Sequence, residues 1–154
     1  MAGYLKLQFI KEIDGEDAIN IRDSAFPAIF AATEVSFPEA RTVGNYSFVS
    51  CDALTRLDFP KVESIGKGGF KDCVSVEVAE FPELVELSDQ GFMGLKKLTD
   101  LMVPKVEEIG VEALNGCSAL VELDIPKAAK MGDSALAGCT SLQRIYATRL
   151  QEIG

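Results

Sequence analysis

The 154-residue chain contains no histidine and no tryptophan, and the first absence excludes several kinds of active site. Without histidine, the chain cannot build the Ser-His or Cys-His pairs that activate nucleophiles. The most common ligand of transition metals is also missing, and the four cysteines contain no Cys-x-x-Cys spacing. We therefore predict a protein that is not an enzyme, with no catalytic residues, no metal and no cofactor.

Basic residues and long apolar runs are scarce as well. The chain has 15 Lys and Arg against 24 Asp and Glu, which gives a net charge of −9. A chain of this charge should repel phosphate backbones and anionic lipids, so nucleic acid is not an expected partner. No apolar run approaches the roughly 20 residues that span a bilayer, and no signal peptide is visible at the start. Membrane insertion is therefore not expected.

A 22-residue repeat organises what the sequence does contain. The segment from Phe48 to Cys51 recurs from Phe70 to Cys73. Prolines mark the same interval at Pro38, Pro60, Pro82, Pro104 and Pro126. Repeats of about 20–29 residues are typical of solenoids, in which each unit buries its apolar side only against its neighbours.

The repeat also sets the domain boundaries. Residues 1–16 are predicted to form an N-terminal cap or leader, and residues 17–154 form the solenoid. The units are 17–38, 39–60, 61–82, 83–104, 105–126, 127–148 and a partial unit at 149–154. Because the last unit is incomplete, we expect either further repeats or another molecule over this end. End-to-end self-association is one way to cover such an open edge.

Each unit ends in a strand-like phrase, such as Leu54-x-x-Leu57-x-Phe59, in which the last two apolar residues have the spacing of a half-buried strand. Stacking should place these strands in one parallel sheet, and the proline ends each strand. A second apolar phrase, such as Val62-x-x-Ile65-Gly66, is expected to turn the chain. The rest of the unit is too short for more than about one helical turn. The predicted fold class is an α/β repeat, a solenoid with a parallel β-sheet on one face and short turns, 3₁₀ or helical segments on the other.

All four cysteines occupy the same position of the repeat, and Leu95 takes this position in the intervening unit. An apolar substitute indicates a buried site filled by free, unreactive thiols. The spacing of adjacent coils, about 5 Å, would also allow Cys51–Cys73 or Cys117–Cys139 disulfides, although parallel side chains would strain them.

Two further patterns resemble catalytic or ligand-binding motifs only superficially. Residues 66–69, Gly-Lys-Gly-Gly, look like a phosphate loop, but no Lys-Ser/Thr pair and no long helix follow them. Paired acids such as Glu107 and Glu108 could suggest glycosidase chemistry, but they lie at positions expected to be exposed. Both patterns are therefore attributed to the turns and surface of the solenoid.

The repeated phrase Ile-Gly-x-x-Ala/Gly-Phe-x-x-Cys-x-x-Leu-x-x-Leu-x-Phe/Ile-Pro resembles the BspA-type, or Treponema pallidum-type, leucine-rich repeats. The resemblance covers residues 17–154 and departs from the family phrase at Ser88 and Leu95. It implies a leucine-rich-repeat solenoid without catalytic motifs. It also implies a cell-surface or secreted location, since members are found mostly on bacterial and protist surfaces, where they bind host proteins or other cells.

Function is therefore sought on the outward face of the predicted strands, which solenoids use for binding. The outward residues expected to bind are Arg56, Asp58, Glu80, Asp100, Met102, Glu122, Asp124, Arg144 and Tyr146. Met102 and Tyr146 would supply apolar contact, and the charges would set specificity. We expect a protein-binding module that contacts a partner or host surface protein and mediates adhesion. The alternative is a structural spacer or assembly component that is contacted only at its ends.

Overall fold

The computed structural model describes residues 11–154, in which strands of two lengths alternate along the chain. The seven long strands have three residues each: β1 (Glu12–Asp14), β3 (Glu34–Ser36), β5 (Arg56–Asp58), β7 (Val78–Glu80), β9 (Asp100–Met102), β11 (Glu122–Asp124) and β13 (Arg144–Tyr146). The seven short strands have two each: β2 (Asn20–Ile21), β4 (Thr42–Val43), β6 (Ser64–Ile65), β8 (Glu86–Leu87), β10 (Glu108–Ile109), β12 (Lys130–Met131) and β14 (Glu152–Ile153).

The short strands form one continuous seven-stranded parallel sheet from β2 to β14. The long strands form three separate groups, β1 with β3, β5 with β7 and β9, and β11 with β13. In each pair a residue lies opposite the residue 22 positions later, as Ile65 lies opposite Leu87. The predicted parallel solenoid is therefore confirmed. The prediction of a single sheet is wrong, because the second apolar phrase forms strands of its own.

Strand β1 lies within residues 1–16, which were predicted to form a cap or leader. It pairs with β3, with Glu12 opposite Glu34, so this segment adds a strand to the stack. Residues 1–10 of the expected cap lie outside the described residues.

The stretch between a short strand and the next long strand consists of turns, so the described residues contain no helix. The Phe48 amide donates to the Gly69 carbonyl oxygen at 2.8 Å, and the Ser50 amide donates to the Lys71 carbonyl oxygen at 2.8 Å. An amide that donates to the next coil cannot close a helical bond to the residue four positions earlier. This corrects the predicted α/β class and its helical segments.

Two positions in each coil also have positive φ, which an α-helix excludes. They form two columns at 22-residue spacing: Ser24, Tyr46, Gly68, Gln90, Glu112 and Ser134, and then Ala28, Ser50, Asp72, Gly94, Gly116 and Gly138. Glycine replaces other residues in the second column from Gly94 onward, where it adopts this conformation without the strain of a side chain.

Proline occupies the turn between a long strand and the next short strand. The Val62 amide donates to the Phe59 carbonyl oxygen at 3.4 Å, and the Leu84 amide donates to the Phe81 carbonyl oxygen at 3.2 Å. Proline is the second residue of each turn, where its fixed φ is favoured. It therefore directs the chain into the short strand as well as ending the long one.

The core contains a spine of seven phenylalanines at 11-residue spacing, two in each coil: Phe26, Phe37, Phe48, Phe59, Phe70, Phe81 and Phe92. The ring centroids of Phe48 and Phe70 are 5.1 Å apart with the rings 2° from parallel. Phe59 meets Phe70 edge-on at 5.3 Å. Phe70 thus contacts the ring at the same position of a neighbouring coil and also a ring of the other phenylalanine column. After Phe92, the corresponding positions are aliphatic: Val103, Leu114, Ile125 and Leu136.

We predict that Phe70→Ala lowers the free energy of unfolding by about 3–5 kcal/mol, because Phe70 is fully buried between neighbouring coils. The matched control is Phe30→Ala, at a phenylalanine that is 47% exposed, which should cost less than about 1 kcal/mol. Chemical denaturation measures both values. Similar losses for the two variants would show that the spine does not carry this part of the stability.

Candidate functional site

The outward residues of β5, β7, β9, β11 and β13 form a surface that we call the long-strand face. All nine predicted binding residues lie on it, at exposed or, for Glu80, half-exposed positions. The middle residues Leu57, Ala79 and Leu123 point inward and are fully buried. This alternation follows from the strand period of two. The placement agrees with the sequence, while the binding role of these residues stays a prediction.

Ion pairs involve both arginines of this face. Arg56 pairs with Glu80, and Arg144 pairs with Glu122. The hydrogen bond from Arg144 to Glu122 raises the pKa of the guanidinium, so it stays charged. The nine residues include five carboxylates and two guanidinium groups, which gives this surface a net charge of −3.

The remaining carboxylates of the face, Asp58, Asp100 and Asp124, form no ion pair within residues 11–154. Asp100 accepts a hydrogen bond from the Thr99 hydroxyl at 2.7 Å. These three acids therefore keep their negative charge available to a partner.

The row of long strands is interrupted between β3 and β5 and again between β9 and β11, and a cleft lies at the second interruption. The Phe81 amide donates to the Met102 carbonyl oxygen at 2.9 Å, whereas the equivalent Val103 amide has no backbone acceptor within residues 11–154. The β9/β11 cleft has a volume of about 350 Å³. Its lining residues are Val78, Ala79, Glu80, Thr99, Asp100, Leu101, Met102, Glu122 and Asp124.

A second and larger concavity, the glycine groove, crosses the short-strand sheet, with a volume of about 750 Å³. Its floor includes Gly110 and Gly132, which approach the preceding coil closely. A Cβ at Gly110 would lie 2.5 Å from the Asp89 backbone nitrogen, and one at Gly132 would lie 2.7 Å from the Gly110 carbonyl carbon. Side chains including Glu86, Lys67 and Lys130 also line it. Our sequence interpretation missed this groove, although the recurring glycine after the second apolar phrase was a signal for it.

The Gly-Lys-Gly-Gly segment at 66–69 is part of this packing. The Lys67 amide donates to Asn45 Oδ1 at 2.8 Å, and the Gly68 amide donates to the Asp89 carbonyl oxygen at 2.9 Å. These N–H groups already have protein acceptors, so they are not free to hold a phosphate. The paired acids Glu107 and Glu108 are exposed on the surface.

The thiols are free and face the core; Cys51, Cys73 and Cys117 are buried, and Cys139 is half-buried. The Cys117 thiol donates to the Phe92 carbonyl oxygen at 3.3 Å, and each of the others donates in the same way to a carbonyl 25 residues earlier. Burial raises the pKa of Cys117 to about 12 and that of Cys73 well above its usual range. Both thiols therefore stay protonated at neutral pH, which removes their nucleophilicity.

Within residues 11–154, no group of three or more Cys, Asp and Glu side chains is arranged to hold a metal ion. The same residues include no helix long and apolar enough to cross a membrane.

We predict that stability falls as the pH rises from about 9 to 12, partly through Cys117. Its thiol has a pKa near 9.0 when unfolded and about 12 when folded, so in this window the unfolded state binds fewer protons and is favoured. One such group changes the free energy of unfolding by at most about 1.4 kcal/mol per pH unit. Denaturation of Cys117→Ala and the parent at several pH values isolates this effect, since lysines and tyrosines titrate in both. Parallel pH profiles for the two proteins would refute the assignment.

Comparisons with known proteins agree with this geometry. A sequence model described as the BspA type leucine rich repeat region matches residues 19–143 in six copies. A leucine-rich repeat protein from Bacteroides ovatus has a similar structure, with a TM-score of 0.66 and 25% identity over 94% of the chain. The T. pallidum leucine-rich repeat protein matches with a TM-score of 0.64 and 19% identity, covering 94% of this chain and 74% of that one.

A third similar structure is a leucine rich cell surface protein from Faecalibacterium prausnitzii, with a TM-score of 0.54 and 17% identity. It covers 90% of this chain and 60% of the other. The chain spans only 45% of the length of the Bacteroides ovatus protein. Among curated protein sequences, none is significantly similar.

Proposed function

The chain belongs to the BspA-type leucine-rich repeat family, and from this premise we propose that it is a non-enzymatic protein-binding module of a surface-exposed or secreted bacterial protein. The proposed role is adhesion or interaction with a host surface protein. Repeats of this family generally form non-catalytic modules, and one similar structure is that of a bacterial cell surface protein.

The observation that supports binding most directly is the composition of the long-strand face. Met102 and Tyr146 are 43% and 49% exposed, and charged side chains surround both. Apolar anchors within a charged rim are typical of protein interfaces, in which tyrosine and arginine often dominate the binding energy. Tyr146 lies beside Arg144 at one end of this face, so these two residues are the proposed main contacts.

A structural spacer is the second candidate. The continuous short-strand sheet and the phenylalanine spine favour it, because both would make the solenoid stiff along its axis. A spacer needs contacts only at its ends, whereas a binding module needs a partner on the long-strand face. End-to-end association, which the sequence suggested, stays a prediction under either function.

Adhesion of protein-coated beads to cultured animal epithelial cells tests the proposal. We predict that Tyr146→Ala and Arg144→Ala each reduce bead retention several-fold, because they remove an apolar anchor and a charge from the proposed main contacts. Lys67→Ala in the glycine groove is the matched control and should leave retention unchanged. Circular dichroism verifies that all three variants stay folded.

Two outcomes would contradict this assignment. Loss of retention with Lys67→Ala alone would move the binding site to the glycine groove. If coated beads were retained no better than uncoated beads, the proposed adhesion role would be contradicted and the spacer role would be favoured.

A further inference from the structure

We propose that the β9/β11 cleft receives a lysine or arginine side chain from an extended segment of the partner protein. This inference rests on the proposed function and adds the chemistry of the partner. The cleft lies near the middle of the long-strand face, and it combines an opening between two strands, an uncovered apolar floor and carboxylates that lack a basic partner.

The floor of the cleft is apolar and uncovered. Leu101 is the middle residue of β9 and is half-exposed, whereas the equivalent Leu57, Ala79 and Leu123 are fully buried. Met102, beside it, is 43% exposed. Apolar surface is therefore open at this position of the coil of β9, whereas the coils of β5, β7 and β11 close it. Exposing such apolar surface to water is unfavourable, so a ligand that covers it gains binding free energy.

The rim of the cleft is negative. Asp100 and Asp124 lie on its two sides, in β9 and β11, and neither has an ion-pair partner within residues 11–154. Glu80 and Glu122 also line the cleft, but each already holds an arginine of the face. Two unneutralised carboxylates across one opening attract a cation and repel an anionic segment.

A basic side chain matches both parts of this lining. Lysine and arginine combine an apolar stem with a charged end, so the stem can cover Leu101 and Met102 while the end lies between Asp100 and Asp124. Guanidinium groups hydrogen-bond carboxylates in a defined fork geometry. A purely apolar side chain would leave both acids unpaired, and an acidic one would be repelled.

The backbone beside the cleft explains why the segment is expected to be extended. The amide of Val121, a residue that is 37% exposed and directly precedes β11, has no backbone acceptor within residues 11–154, although the equivalent Thr99 amide donates to the Glu77 carbonyl oxygen at 3.0 Å. An unpaired amide on an exposed residue beside a strand is the kind of group that an extended peptide contacts when it adds to a sheet.

The test uses the peptide acetyl-Thr-Val-Arg-Val-Thr-amide, with a citrulline peptide of the same shape as the uncharged control. Each peptide is titrated into isotope-labelled protein, and NMR chemical shifts locate the binding site. A salt concentration of about 150 mM limits long-range electrostatic attraction. We expect shifts centred on Leu101, Met102 and Leu123, and at least tenfold weaker binding of the citrulline peptide. Asp100→Asn together with Asp124→Asn should weaken the arginine peptide about tenfold or more. Glu107→Gln, which removes an exposed charge outside both the long-strand face and the glycine groove, should change its affinity less than twofold.

The possible failures separate the two proposals. Shifts around Tyr146 but not at the cleft would overturn the cleft and leave the long-strand face as the binding surface. Shifts confined to the glycine groove would count against both. If the citrulline peptide bound with the same affinity as the arginine peptide, the positive charge would not matter. The proposal of a basic side chain in the cleft would then be refuted. No binding at millimolar peptide would also overturn the cleft proposal, while the bead assay judges the proposed function independently.

Discussion

The fold depends on one interaction, the backbone hydrogen bond from an amide of one coil to a carbonyl of the next. It runs through the strands and also through the turns, as the bond from Phe48 to Gly69 shows. Because the coils satisfy most of their backbone groups on their neighbours, equivalent residues are forced into register at 22-residue spacing. Side chains then stack in columns: phenylalanine rings contact each other, thiols reach carbonyls of the preceding coil, and opposite charges pair across coils. The stability of such an array is a sum of contacts between neighbours.

The two concavities of the surface lie where this regular pattern is interrupted or where a column lacks side chains. The β9/β11 cleft lies where two long strands do not pair, although the short strands β8, β10 and β12 stay bonded on the same coils. The glycine groove exists because a column of glycines lets the backbones of adjacent coils approach each other. A stack without such positions would present flat, evenly solvated faces, and it would offer a partner little concave surface.

The sequence predicts much of this architecture because repetition converts local pattern into three-dimensional order. The spacing of Pro60 and Pro82 gives the coil length. The shared position of Leu95 and the cysteines predicts four buried thiols, and three of the four are buried. The two phenylalanine columns are present in the sequence as an 11-residue spacing, but our interpretation of the sequence did not use it. The second sheet was missed because a two-residue strand such as Ser64–Ile65 has too few residues to show a period.

Other features could not be read from the sequence at all. The middle position of the phrase stays leucine at Leu101 and Leu123, on both sides of the place where the strands separate, so the apolar pattern alone does not predict the cleft. The helical expectation failed for a similar reason. The Phe48 amide bonds to the next coil, and this acceptor is distant in sequence.

Residue-resolved hydrogen exchange in the native protein tests most directly whether coil-to-coil bonds run through the whole repeat. The account predicts that the turn amides of Phe48 and Ser50 are protected as strongly as the strand-side amide of Phe81, because all three donate to the next coil. The Val103 amide is buried but lacks such an acceptor, so it should exchange faster than that of Phe81. Unprotected turn amides, or equal protection of Val103 and Phe81, would contradict the account.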